Sequence, residues 1–273
     1  MSASRKRTPF AMEPESRALL GQVAIVTGST AGIGLATALR LRSLGAALVI
    51  NGRGESLLTA AEARLRSAAP DAPIAAVAGD AAEEPTVRAL VAAARSLGGP
   101  HIAIANAGGG VAKNQRTALD DLSGERLQST FRSNVGAAAA LILAVADAMA
   151  ANSYGRIVTV ASIAGRTTSP TAGADYAAAK AALLSLTRSA ALELAPLGIT
   201  VNSISPGITA TDRIAARLDA LTPRQRHELR ERIPMRRFGT PDEVAAAICF
   251  LASPDASFIT GASLDVNGGA YMP

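Results

Sequence analysis

The sequence predicts a doubly wound α/β fold: a single domain built on a mostly parallel sheet of about seven strands. Three observations carry this expectation. Short apolar runs alternate with helix-like stretches almost throughout the chain. Those runs lack strict polar alternation, as strands do when helices cover both sheet faces. A length of 273 residues suffices for one large core without a disulfide or metal staple. Together these give a Rossmann-type pattern.

The elements follow in order. Residues 1–20 mix Ser, Arg, Pro and Glu without a period and read as an irregular tail, leaving 21–273 as the domain. A strand at 23–26 runs into a glycine-rich turn at 28–34 and a helix at 35–44. Strands at 47–50 and 74–78 are followed by helices at 55–67 and 83–97. Strands at 102–105 and 157–160 are separated by a long alanine-rich helix at about 127–150. A helix at 175–194, a strand at 199–204, a helix at 241–251 and a strand at 263–266 complete the chain. Right-handed crossovers place the strand C-termini on one rim, where Gly28, Asn106, Ser162 and Pro206 meet. Residues 208–235 break the rhythm with a polar, partly helical segment, predicted to be a lid over that rim.

Composition narrows the function classes. Hydrophobic residues make up 49%, charged residues 18%, and mean hydropathy is +0.24, which excludes a wholly disordered chain. The apolar runs are broken by Gly, Asn, Asp or Arg, so no membrane span is expected, and no secretory leader is seen. The cytoplasm is the expected setting. The single cysteine, Cys249, excludes an internal disulfide and a cysteine-rich zinc site, and reads as a core thiol. His101 and His227 leave little for a histidine-built site, so no metal is expected. The net charge is +5, but aromatics are 3%, too few for stacking bases, so no nucleic-acid partner is expected.

The turn Thr27-Gly28-Ser29-Thr30-Ala31-Gly32-Ile33-Gly34 lies between a strand and a helix. Glycines there permit close approach of a diphosphate, and the helix N-terminus supplies N–H groups and a positive dipole. The second strand ends Val49-Ile50-Asn51-Gly52-Arg53, with no acid until Glu55. An acid at this point would bind the adenosine ribose and repel a 2′-phosphate; Arg53 would pair with that phosphate. NADP(H) is therefore the preferred cofactor, with NAD(H) possible. Asp80, ending the third strand, is a candidate for the adenine amino group or a cap of the helix near Glu83.

Tyr176 and Lys180 are four apart in a helix and share a face. A lysine beside a phenol lowers the phenol pKa and makes a usable acid and base near neutrality. Ser162, beyond a strand end, is placed to hydrogen-bond a substrate carbonyl; its plainer reading is a turn serine. Asn134 is an odd residue for the middle of an apolar helix, and reads alternatively as a buried polar kink.

These residues resemble those of the classical short-chain dehydrogenase/reductase family, over nearly everything from Gly21 to Gly269. Thr27 through Gly34 matches the cofactor turn. Asn106-Ala107-Gly108 matches a structural Asn-Ala-Gly element, although Ala105 departs from the commoner doubled asparagine. Asn134, Ser162, Tyr176 and Lys180 match the catalytic tetrad, and Pro206-Gly207 with Thr211 matches the segment that closes over the nicotinamide. Residues 234–241, 258–261 and 268–269 resemble late family segments.

The resemblance implies hydride transfer between NADP(H) and a ketone or secondary alcohol. Tyr176 is the proton donor, Ser162 polarises the carbonyl, and Lys180 binds the nicotinamide ribose. Asn134 holds a water for proton return. It implies cofactor contacts at Gly28, Ser29, Thr30, Gly32, Ile33, Gly34, Arg53, Asp80, Asn106, Gly108, Tyr176, Lys180, Pro206, Gly207, Ile208, Thr209 and Thr211. It also implies a homotetramer through the alanine-rich helices.

Within the family the chain resembles 3-oxoacyl-carrier-protein reductases in outline. Some members grip an acidic carrier with two arginines on the paired long helices; here those positions hold Asp147 and Leu192, which argues against an acidic carrier protein as partner. Alternatives are an NAD-dependent alcohol or sugar dehydrogenase, a 3-oxoacyl thioester reductase, or a non-catalytic dinucleotide-binding regulator. The joint presence of Ser162, Tyr176 and Lys180 argues against the last.

Overall fold

The computed structural model describes residues 18–109, 119–168 and 171–273. The expected tail falls outside this range except at 18–20. There Leu19 is fully buried, and its N–H donates to the Leu44 carbonyl at 3.0 Å, so the domain core begins earlier than the sequence pattern implies.

Seven strands form one parallel sheet: β1 (Val23–Val26), β2 (Ala47–Gly52), β3 (Ile74–Ala78), β4 (Ile102–Ala105), β5 (Gly155–Val160), β6 (Ile199–Pro206) and β7 (Ser263–Val266). Their order is β3-β2-β1-β4-β5-β6-β7. All pairs are parallel, so every strand C-terminus lies on one rim. The direction of winding reverses between β1 and β4, which opens a crevice at that rim.

The helices are α1 (Gly32–Ser43), α2 (Glu55–Ala68), α3 (Glu84–Ser96), α4 (Gly124–Phe131), α5 (Ala137–Ala151), α6 (Ala174–Leu194), α7 (Asp212–Asp219), α8 (Pro223–Glu231) and α9 (Pro241–Ala252). Successive strand residues face opposite layers. Ile102 and Ile104 of β4 join the core with α1, α2 and α9, which contains the buried Cys249. Ala103 and Ala105 join the opposite core with α3, α5 and α6, where small strand residues let Leu141, Val145 and Leu183 approach the sheet.

The long alanine-rich helix differs from expectation. It begins at Gly124, capped by the Ser123 hydroxyl, and carries a π turn at Arg132–Gly136 between α4 and α5. The span Gly124–Ala151 is long and apolar enough to cross a membrane by length and composition. Here Leu141, Val145 and Met149 pack it on the sheet. Residues 208–235 form α7 and α8, capped by Thr211 and by a Thr222–Gln225 capping box.

Candidate active site

The glycine turn after β1 is clamped from two sides. From β4, the Asn106 side-chain amide donates to the carbonyls of Thr27 (3.0 Å) and Gly28 (2.9 Å). The buried Thr27 hydroxyl accepts from the N–H groups of Asn106 (3.1 Å) and Ala107 (3.0 Å). From β2, Asn51 accepts from the Gly28 N–H at 3.4 Å and donates to the carbonyls of Val77 and Gly79, both at 3.1 Å. The Ser29 hydroxyl accepts from the Asn51 N–H at 2.9 Å.

At two expected cofactor positions the side chains serve the turn itself. The Ser29 hydroxyl and the Asn106 amide are turned inward, because the backbone groups of a buried turn must find partners. Asn51, which carries no motif signal and stands where a ribose-binding carboxylate is expected, is the central clamp.

The turn is packed too closely for side chains at its glycines. A methyl group on Gly34 would lie 2.2 Å from the Gly28 carbonyl oxygen, and one on Gly28 (φ +62) would lie 3.1 Å from the Ala107 Cα. Gly32 (φ +54) faces the Thr211 methyl, at 3.0 Å from its own would-be methyl. No side chain caps α1 at Ala31, and no acid occupies its first turn. The N-terminal N–H groups and the dipole are therefore presented to an anion. Ile33 packs against the core and Thr30 lies over Gly52. Arg53 is exposed at the end of β2. Asp80 does not cap α3, whose N-cap is Glu83; it accepts from the Ala82 N–H at 2.9 Å and faces Arg132 at 3.9 Å.

At the other end of the crevice, α6 carries Tyr176 and Lys180 one turn apart. Lys180 is buried, donates from Nζ to the Val160 carbonyl at 2.7 Å, and lies 5.5 Å from the centre of the Tyr176 ring. Ser162 hydrogen-bonds the Tyr176 side chain and also accepts from the Ala164 N–H at 3.1 Å. Gly165 allows this turn to sit on α6, since a methyl there would lie 2.6 Å from the Lys180 carbonyl carbon. Beside Tyr176, buried Asp175 accepts from Arg126 (3.2 Å) and Thr130 (3.0 Å). Burial opposes its charge, but these hydrogen bonds hold its carboxyl below the ordinary range and tie α6 to α4.

The electrostatics differ from expectation. Burial pushes the Tyr176 phenol above its usual pKa, outweighing the Ser162 hydrogen bond and the charge of Arg213. Burial first, and Arg213 second, bring Lys180 down to about 7. Desolvation penalises both charged forms, so it dominates the expected help of lysine to tyrosinate. Arg213, on α7, escaped the sequence reading because no local motif links it to Tyr176.

Asn134 lies in the π turn, fully buried. Its side chain accepts from the Gly109 N–H (3.0 Å) and donates to the carbonyls of Gly109 (3.0 Å) and Thr130 (2.8 Å). Its amide is thus committed to holding the loop after β4. A methyl on Gly108 would lie 2.5 Å from Asn134 Oδ1, which accounts for that glycine.

The expected closing segment starts at the end of β6 with buried Pro206. Gly207 packs on Asn267, and the Ile208 carbonyl accepts from the Gly239 N–H at 3.0 Å. Thr209 is buried, with its hydroxyl donating to the Gly207 carbonyl at 3.3 Å. The Thr211 hydroxyl caps α7 while its methyl faces Gly32. Among the described residues no cluster of three His, Cys, Asp or Glu is placed to hold a metal.

A doubly wound sheet, an uncapped glycine-rich helix start and a Ser–Tyr–Lys cluster at one rim define a dinucleotide-dependent oxidoreductase. The family model described as "Enoyl-(Acyl carrier protein) reductase" matches residues 28–271. A 3-oxoacyl-[acyl-carrier-protein] reductase of Rickettsia conorii is 34% identical, over 93% of this chain and 98% of the relative. The NADPH-bound structure of a short-chain oxidoreductase from Pseudomonas aeruginosa is 32% identical with a TM-score of 0.85, covering 93% of this chain and 98% of that one. A 3-oxoacyl-[acyl-carrier protein] reductase from Brucella melitensis, with bound NAD, is 27% identical with a TM-score of 0.85, covering 100% and 99%. The chain belongs to the short-chain dehydrogenase/reductase family and is an NAD(P)(H)-dependent oxidoreductase acting on carbonyl or alcohol groups.

These relatives overturn the expectation against an acidic carrier protein. Asp147 and Leu192 are indeed exposed on α5 and α6. Two helix positions do not measure the basic surface, however. Residues 208–237 alone carry eight arginines against four acids.

Proposed function

We propose that the protein is an NADPH-dependent reductase of ketones, with 3-oxoacyl thioesters among its substrates and Tyr176 as proton donor. The observation that carries this reading is the Ser162–Tyr176–Lys180 cluster at the same rim as the uncapped start of α1. The turn from Gly28 to Gly34 would hold the diphosphate, Arg53 the 2′-phosphate and Asp80 the adenine. Gly108, Pro206, Gly207, Ile208, Thr209 and Thr211 would border the nicotinamide end. The bound dinucleotide supplies the two-electron reduction at the carbonyl carbon.

The chain's own groups do the rest. Ser162 orients the carbonyl oxygen, and the Tyr176 hydroxyl delivers a proton to it. High phenol pKa keeps that proton on Tyr176 until a developing alkoxide takes it. Lys180 would donate to the ribose hydroxyls, and its pKa near 7 allows it to regain a proton from solvent at neutral pH. The 3-oxoacyl assignment is supported by the names of the similar reductases.

The test is direct binding of NADPH and NADH, followed by a ketone screen. Tenfold tighter NADPH binding, about 1.4 kcal/mol, supports the reading. Equal or tighter NADH binding transfers support to an NAD-dependent alcohol dehydrogenase; the bound NAD of the Brucella reductase supports the cofactor part of that second reading.

A further inference from the structure

Helix α6 enters through Gly173, which has no side chain to cap it. Farther along, α6 is fixed to β5. Lys180 donates to the Val160 carbonyl, and the Thr187 hydroxyl lies 2.8 Å from that of Thr159. The first turn, which carries Tyr176, needs a hold of its own, because the leading N–H groups of a helix have no partners within it. Asp175 provides that hold. Its carboxylate is buried, and a buried charge persists only where donors meet it. One oxygen, Oδ2, accepts from Arg126 Nε at 3.2 Å and from the Thr130 hydroxyl at 3.0 Å. Both donors stand on α4. The carboxylate also accepts from the backbone N–H of Tyr176.

Thr130 is pinned in its turn. It is fully buried, and its carbonyl accepts from the Asn134 side-chain amide at 2.8 Å and from the Ser133 hydroxyl at 3.1 Å. The π turn at Arg132–Gly136 makes room for this, since its wider ring lets the Asn134 side chain enter the helix ladder at Thr130. A continuous hydrogen-bonded line therefore runs from Asn134 through Thr130 and Asp175 to the backbone of Tyr176. Apolar side chains could join α4 to α6 at least as strongly as a buried ion pair does. Directed bonds add orientation: they fix how the first turn of α6 is rotated, and the Tyr176 side chain leaves the helix at the next residue.

We propose that Asp175 is a positioning residue for proton transfer: held by Arg126 and Thr130 of α4, it orients the first turn of α6 so that the Tyr176 hydroxyl stays aligned with Ser162 and the reacting oxygen. This rests on the reductase reading above. The carboxylate faces α4, so it acts through Tyr176 and not on the substrate. A displaced phenol slows proton delivery while leaving the groups that hold cofactor and ketone in place.

The experiment measures kcat, KM and the solvent deuterium isotope effect on kcat, with the ketone that the screen finds best, in the wild type, Asp175→Asn, Thr130→Val and Thr130→Ser. Nicotinamide fluorescence gives the NADPH dissociation constants in parallel. In Asp175→Asn, kcat is expected to fall roughly 10- to 100-fold and the solvent isotope effect to rise. KM and NADPH affinity are expected to stay within about twofold. Thr130→Val changes the same quantities by less, and Thr130→Ser, which keeps the hydroxyl, restores them. The double variant Asp175→Asn with Thr130→Val loses no more than Asp175→Asn alone, because Thr130 acts through Asp175. An unchanged kcat in Asp175→Asn overturns the proposal. So does a fall in kcat that NADPH affinity matches with the isotope effect unmoved, which is general loosening of the fold. If Asp175→Asn does not fold, Thr130→Val against Thr130→Ser decides by the same readouts. If the wild type reduces no ketone, the reductase reading fails instead, and amide hydrogen exchange over residues 174–178 decides whether α4 holds that turn. Faster exchange in Thr130→Val than in Thr130→Ser supports the anchoring, and equal exchange overturns it.

Discussion

Tyr176 and Lys180 illustrate how burial and contact compete within one pair of side chains. Both are drier than their sequence spacing implies, so both charged forms are penalised. Tyr176→Phe removes the proton donor and little else; steady-state turnover is expected to fall by at least ~10²-fold while fluorescence titration still shows NADPH binding. Lys180 adds a stability signature. Its native pKa of about 7 lies below the unfolded value of 10.5. The unfolded chain therefore binds the extra proton between those values, and native stability rises with pH across that window. Melting temperatures of the cofactor-free protein are expected to show the wild type gaining on Lys180→Met from about pH 7 to above pH 10. A constant gap across the series would mean that the buried amine carries no such penalty. For Arg53, alanine is expected to weaken NADPH binding more than NADH binding; equal loss removes it as reader of the 2′-phosphate.

Among the elements, the glycine turn and the π turn position the chemistry. The turn after β1 is specified by close approaches, not by glycine content. Gly34→Ala brings a methyl group against the Gly28 carbonyl, so it should cost both NADPH and NADH affinity while far-UV circular dichroism stays native. Loss of one cofactor alone would contradict a shared diphosphate cradle. The motif was legible in sequence because its residues are contiguous. Its clamps were not: Asn51, Thr27 and Asn106 come from three strands, and their bonds depend on how far each strand runs past its neighbour. Likewise the helix at Gly124–Ala151 was recognisable from its alanine content. Its π turn was not, since that turn is set by the bonds from Asn134 to the β4 loop.

At the scale of the molecule, apolar side chains remain uncovered on the outer helices. Leu143 on α5 is 75% exposed and Leu192 on α6 is 80% exposed. Phe258, near β7, is fully exposed. Water contact at such residues is relieved by a partner surface, and a homotetramer through α5 and α6 is the expected assembly. Light scattering after gel filtration should give about four chains for the wild type and fewer for Leu143→Glu combined with Leu192→Glu. A tetramer in both would place the interface elsewhere.

By itself the sequence determined the order of strands and helices, the doubly wound class, and the identities of Ser162, Tyr176 and Lys180. Those signals are local: hydrophobic runs, glycine spacing, and two residues one helical turn apart. It did not reveal that Leu19 belongs to the core, that Asn106 and Ser29 face inward, or that Asp80 shapes a turn. Nor did it bring the charge of Arg213 to bear on Tyr176, because 37 positions separate them in the chain. The tertiary structure decided these points, because hydrogen-bond satisfaction, desolvation and charge depend on distances between segments far apart in sequence.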